Sequence, residues 1–329
     1  MGIRLADSKY FETRDGRVQL VEGLGPICDV HTHLALSYVP SGDVDLTRDE
    51  IAELYLDEST ELDLELYMNQ NFSGSALARM KRDLSLGSLR DSGMRATHTA
   101  PALERQMRET RVARSVILAI DLPHSSRNTD SYVTVASDRE GLIPAASIHP
   151  YAPRAEALLR KAHQRGARAL KMHPAVQLML PDHPRAMRLY EVCGELSMPV
   201  MWHCGPVGIT SEGADKRCHL KHYWQPIHEL PNTTFILGHS GALMYEMGVK
   251  LARMYENVYL EIASQGIPAI RHILQTAPPE RVMNGSDFPF YHQGTSILKL
   301  LEATEHDDAL RRKVLWDNAA ALFGFSGLA

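Results

Sequence analysis

Two histidines one residue apart, in the run Asp29-Val30-His31-Thr32-His33, are the first residues whose types and spacing suggest chemistry. Side chains two apart on a strand share a face, so both imidazoles can enter one space and chelate zinc or a similar borderline cation. Alone, such a triplet is a weak signal. Later apolar runs, however, end on residues of the same kind: Lys171-Met172-His173-Pro174, Trp202-His203-Cys204-Gly205, Gly238-His239-Ser240-Gly241 and Gly285-Ser286-Asp287-Phe288-Pro289. Burying such groups is costly unless they bind something, so the set predicts a metal site. A cation held there lowers the pKa of water toward ~7. Asp287 is then placed to accept the water's proton and pass it to a leaving group. His239 can polarise the attacked carbonyl or share in proton transfer. His149 closes another apolar run (Ile143–His149) and is read either as lining the substrate pocket or as a structural histidine.

These residues need elements to hold them. From Pro26 onward, short Val/Ile/Leu runs alternate with amphipathic stretches. The expected strands are Ile27–His31, Ala113–Ile120, Ile143–His149, Ala167–His173, Pro199–His203, Thr234–His239, Val258–Ile262 and Arg281–Asp287. Helical patterns such as Arg154–Arg165, Arg185–Leu196, Ala242–Tyr255 and Ile267–Gln275 lie between them. Continuous apolar strands separated by helices indicate a parallel sheet covered on its outer face. Eight of them, with no GxGxxG after the first, predict a (β/α)8 TIM barrel rather than an open dinucleotide-binding sheet. Residues 40–100 break the rhythm and read as a charged, helical insertion (TRDEIAELYLDE, then ALARMKRDLSL) after the first strand. Without it the chain approaches the ~250 residues of a plain barrel. The insertion emerges on the face where active sites of this fold are built, as a lid over the substrate or as an oligomer contact. The chain is read as one domain, 1–329. A small strand pair turned at Asp15-Gly16 precedes the barrel, and the terminal DNAAALFGF helix caps it.

The chain resembles the amidohydrolase superfamily, in particular its "amidohydrolase 2" branch of TIM-barrel hydrolases and decarboxylases. The resemblance rests on HTH in the first strand, a histidine on each of the fifth and sixth, an aspartate on the eighth, and the stretches LKMHPAVQLMLPD, MPVMWHCGPVG, TTFILGHSGA, RVMNGSDFPF and WDNAAALFGF. It implies that His31, His33, His203 and Asp287 bind the metal, with His239 a second-metal ligand or an acid/base. Some superfamily members carry a carboxylated lysine at the end of strand 4, so Lys171 is a candidate bridging ligand. In the resembled branch a similar Lys-x-His-Pro accompanies a single metal, and Lys171 or His173 then touches the substrate. One divalent ion is favoured over two. Zinc comes first, with manganese, iron, cobalt and nickel open. The expected reaction is hydrolysis of an amide, lactone or ester-type bond of a small molecule. The alternative is non-oxidative decarboxylation of an aromatic or unsaturated acid.

Composition excludes other classes. Lys+Arg of 35 against Asp+Glu of 40 gives a net charge of −5, which does not suggest a nucleic-acid or anionic-membrane surface. No apolar run reaches the ~18 residues of a membrane span, and the charged amino-terminal stretch is unlike a signal peptide. Four scattered cysteines, Cys28, Cys193, Cys204 and Cys218, form no CxxC pair. The expectation is a cytoplasmic enzyme with a small-molecule substrate, and a homodimer is the candidate assembly. Within the insertion, Arg79, Arg82, Arg90, Arg95 and His98 are candidates to meet an acidic substrate. Strand alternation turns Trp202 and Cys204 away from the pocket, and Tyr291 and His292 sit in a loop expected to border it.

Overall fold

The computed structural model describes residues 2–21 and 23–325. Met1, Glu22 and residues 326–329, which the 1–329 domain bounds also include, lie outside the described residues. The chain opens with the antiparallel hairpin β1 (Phe11–Arg14) and β2 (Arg17–Leu20). Asp15 (φ 52°) and Gly16 (φ 73°) turn it, both in the left-handed region that matches the twist of a two-residue hairpin.

Eight parallel strands follow, each bonded to the next: β3 (Ile27–Thr32), β4 (Val112–Leu118), β5 (Leu142–Ala146), β6 (Ala169–Met172), β7 (Val200–Trp202), β8 (Phe235–Leu237), β9 (Val258–Glu261) and β10 (Val282–Met283). The last returns to the first through Val30 N–H to Asn284 O (3.0 Å), Asp287 N–H to His31 O (2.8 Å) and His33 N–H to Phe288 O (2.7 Å). The result is a nearly closed TIM barrel. The strands end earlier than the hydrophobic runs suggest: His173, His203 and His239 each lie just beyond a strand end. The sheet hydrogen bonding stops where the chain turns toward the barrel mouth.

Helix α1 (Gly74–Ser85) belongs to the insertion, and α2 (Ala100–Thr110) leads into β4. The outer ring continues with α3 (Asn128–Ala136), α4 (Ala155–Gln164), α5 (Pro184–Glu195), α6 (Glu212–Cys218), α7 (Trp224–Glu229), α8 (Tyr245–Met254), α9 (Ile267–Thr276) and α10 (Gln293–Ala303). After α11 (Asp308–Arg312), a wide turn and α12 (Asn318–Phe323) bring Trp316 and Ala319 into the inner apolar cluster with Val30, Met201 and Ile236, so the carboxyl end plugs the barrel as expected. No described helix is long and apolar enough to cross a membrane.

The insertion corrects one expectation. ALARMKRDLS lies within α1, with Leu86 capping it, but TRDEIAELYLDE is not helical. Leu54, Tyr55 and Leu56 are consecutively buried, which no single helix stripe achieves. Tyr55 N–H and Leu56 N–H bond to Pro289 O (3.2 Å) and Phe290 O (3.0 Å). Tertiary hydrogen bonds to the loop after β10 outweigh the local helical propensity of Glu, Ala and Leu.

Candidate metal centre

Period-two alternation delivers the site. Ala169 and Met201 belong to the inner cluster, so Lys171 and His203, two residues on, face the same interior. Glu261 ends β9 in the same way. Two register shifts of β3 against β4, at Ile27/Cys28 and Asp29/Thr32, bend that strand. A bulge of this kind re-aims side chains, and it brings His31 against Glu261 and Lys171. Asp29 anchors the bend: one carboxylate oxygen accepts from His31 N–H (3.1 Å) and Ser286 N–H (2.9 Å), the other from Gln293 Nε2 (2.8 Å).

Donor atoms of His31, His33 and Asp287 lie within 4.8 Å of one another. Both Nε2 atoms stand 3.6 Å from Asp287 Oδ1. The far nitrogens are already committed: His33 Nδ1 donates to Leu118 O (2.7 Å) and His31 Nδ1 to Glu261 Oε1 (2.8 Å). Each ring therefore keeps its Nε2 lone pair for the cavity, the arrangement of metal-binding imidazoles oriented by a carbonyl or carboxylate. Burial, reinforced by the Lys171 charge, lowers the pKa of His33 to about 3 and that of His31 well below its usual value. Both rings are neutral at pH 7, the form a cation binds. The set fits a small divalent ion.

His31, His239 and Glu261 form a second close group, but both oxygens of its carboxylate already accept hydrogen bonds. Oε1 accepts from His31 Nδ1 and from His239 N–H, and Oε2 accepts from Ala263 N–H (2.7 Å). That group serves as a hydrogen-bonded brace behind His31. Burial pushes Glu261 up to about 7, while the backbone donors pull it down. Gly285 is required beside it, because a Cβ there would lie 2.3 Å from Glu261 Oε2 and 2.9 Å from His31 Cβ.

His239 sits in a run of left-handed residues, His239 to Ala242, a strained backbone of the kind that collects at functional sites. Its Nδ1 donates to Ala263 O (3.3 Å), and its Nε2 meets His203 Nδ1 at 3.3 Å. The His239 tautomer so assigned makes His203 Nδ1 the donor, which leaves His203 Nε2 free. His203 stacks on His173 with ring centres 4.0 Å apart. Lys171 Nζ lies 3.2 Å from His31 Nε2, and burial lowers its pKa to about 8 against the pull of Asp287 and Glu261. An ammonium at that distance competes with a cation for the same lone pair.

His31, His33, His173, His203, His239 and Asp287 all line one cavity of about 410 Å³, and Lys171 touches it through His31. His149 is elsewhere: its Nε2 donates to Gln177 O (2.9 Å), and it lines a separate cleft with Asp121 and Lys161. The shorter strand β5 leaves it in a loop that turns outward. Arg79, Arg82, Arg90, Arg95 and His98 do not line the metal-side cavity. Arg95 is instead buried, bonded to Leu36 O (3.1 Å) and Gly42 O (2.9 Å), and His98 bonds Glu53 O (2.9 Å). Trp202 faces outward onto Tyr190 and Phe235 as expected, and Cys204 bonds Gly238 O. Sequence reasoning missed Glu261, whose signal was an acid within the apolar run VYLEI. It also missed Tyr67 and Lys81 of the insertion, which line the cavity; nothing in their local sequence marked them.

The amidohydrolase family profile matches residues 28–325. The chain belongs to the amidohydrolase family. Among solved structures, this amidohydrolase is similar to an uncharacterised TIM-barrel protein of Bordetella bronchiseptica (TM-score 0.64, 16% identity, covering 91% of this chain and 98% of that one). It is also similar to a 5-carboxyvanillate decarboxylase of Novosphingobium aromaticivorans solved with bound manganese (0.59, 16%, 92% and 100%). A third is a probable 2-pyrone-4,6-dicarboxylic acid hydrolase of Acinetobacter baumannii (0.57, 12%, 91% and 99%). At such identities the likeness establishes the barrel, while the family establishes a metal-dependent enzyme. No curated protein matches the chain.

Proposed function

We propose that this amidohydrolase hydrolyses an amide, lactone or ester-type bond of a small molecule, with one divalent cation, zinc first, held by His31, His33 and Asp287. The observation that carries the reading is the three-donor group on the floor of the cavity, with both imidazoles neutral and oriented from behind. A bound divalent cation supplies Lewis acidity toward a substrate oxygen and toward water. The chain's residues do the rest. Asp287 takes a proton from the attacking water and returns it to the leaving group. His203 Nε2, with its ring fixed by His239 and His173, faces the substrate as a further ligand or a hydrogen-bonding group. His239 holds that ring through its Nε2.

Decarboxylation of an aromatic or unsaturated acid is the second reading. The apolar wall formed by Leu36, Leu84, Val207 and Phe290 favours it, as does the decarboxylase among the similar structures. Asp287 would then protonate carbon. The deciding experiment presents zinc- and manganese-loaded protein with lactones, esters and N-acyl compounds, and separately with aromatic acids while carbon dioxide is measured. Hydrolysis that disappears in Asp287→Asn supports the first reading. Carbon dioxide release without hydrolysis replaces it with the second, and full turnover by Asp287→Asn sinks the role given to that carboxylate.

A further inference from the structure

The cavity that starts at His31, His33 and Asp287 extends outward to α1 of the insertion, where Lys81 and Ser85 line it. Between these ends the wall is mostly apolar (Leu36, Met80, Leu84, Val207, Ile209 and Phe290), with Tyr67 and Asn69 among its polar members. No arginine lines this cavity, and Asp287 is its one carboxylate among the described residues. Lys81 forms no ion pair among the described residues. Asp83, the neighbouring acid of α1, is turned away to Tyr55 Oη (2.6 Å) and Arg95 N–H (2.9 Å). A ligand in this space therefore meets a Lewis-acidic pole, an apolar middle and a free ammonium.

We propose that Lys81 is a specificity-determining residue and that the substrate class is an apolar acyl compound with a carboxylate or comparable anion at its far end. The inference rests on the reading of His31, His33 and Asp287 as the metal centre. The largely apolar middle suits a chain or ring that spans it. The ammonium of Lys81 is a compact point charge on a flexible stem, suited to an anion whose position varies. Since Lys81 is exposed, its contact with a carboxylate is worth a preference of up to about fivefold.

The test uses suberic and adipic acid monohydroxamates and their methyl esters as probes, with isothermal titration of zinc-loaded protein. The hydroxamate end chelates the ion, and the other end is an anion or its neutral isostere. The readout is the acid-to-ester affinity ratio within each protein, so a general loss of affinity cancels. The wild type is expected to prefer one of the two acids over its ester by about two- to fivefold at low salt. That preference should fade at high salt, vanish in Lys81→Met and invert in Lys81→Glu. Esters that bind with no preference for either acid, or a preference that survives Lys81→Met, would overturn the assignment of Lys81 while leaving the metal centre intact. Failure of all four probes to bind would bring down both.

Discussion

Glu261 offers the sharpest perturbation, because every partner of its carboxylate is known. The side chain is fully buried. It accepts three hydrogen bonds, from His31 Nδ1 (2.8 Å), His239 N–H and Ala263 N–H (2.7 Å). Glu261→Gln preserves shape but replaces one oxygen with an NH2 group. The least disruptive placement points that NH2 at Ala263 N–H, which loses one bond and sets two donors face to face. Leaving a buried donor unsatisfied costs about 1–3 kcal/mol. In a domain of this size that lowers Tm by roughly 1.5 °C per kcal/mol. The metal loses more. Removing the carboxylate behind a metal-binding histidine weakens affinity about 10–100-fold, or about 1.4–2.7 kcal/mol. Competition with a zinc-responsive chelating dye measures the affinity, and thermal unfolding with and without zinc measures the stability. A folded Glu261→Gln protein that binds zinc as tightly as the wild type would refute the brace.

Gly285→Ala drives a methyl group to 2.3 Å from Glu261 Oε2; overpacking of this kind costs roughly 1–3 kcal/mol, and the chelator assay should show weakened metal binding as well. Lys171→Met removes the ammonium 3.2 Å from His31 Nε2, so metal affinity should hold or rise; a drop of about tenfold would instead make Lys171 a ligand. Lys299 supplies a pH test: it donates to Gln265 O (2.6 Å), and burial lowers its pKa to about 7. From pH 7 up to its unfolded value near 10.4 the unfolded state binds the extra proton, so the wild type gains on Lys299→Met by about 1.4 kcal/mol per pH unit. Denaturant unfolding of both proteins at pH 7, 8 and 9 checks this, and a constant gap would mean that Lys299 stays charged in the fold.

Much of the barrel was legible because its signal is local. Apolar runs such as Val116–Leu118 and Phe235–Leu237 bounded by helical stretches leave few alternatives to a parallel sheet, and histidines at their ends share a face by simple periodicity. Strand ends were less legible, since hydrophobicity continues past the last ladder bond into the loops that carry His173, His203 and His239. The brace was hidden for a different reason. Glu261 earns its place only by contact with His31 and His239 across the barrel, and no spacing rule reaches across 230 residues of chain. In the insertion, TRDEIAELYLDE carries good helix formers, yet the N–H groups of Tyr55 and Leu56 bond to the loop after β10. The reach of α1 across the mouth, and with it the placing of Lys81, is likewise a tertiary fact. His149 shows the opposite failure: the strand was read three residues beyond the end of β5.

The central claim is that His31, His33 and Asp287 hold one divalent cation. Elemental mass spectrometry of the wild type purified without chelator, beside the double variant His31→Ala/His33→Ala, tests it most directly. About one zinc- or manganese-type ion per wild-type chain and almost none in the double variant is the predicted result. A wild-type chain that is metal-free and takes up neither added zinc nor manganese would contradict the account, as would a double variant that retains its ion.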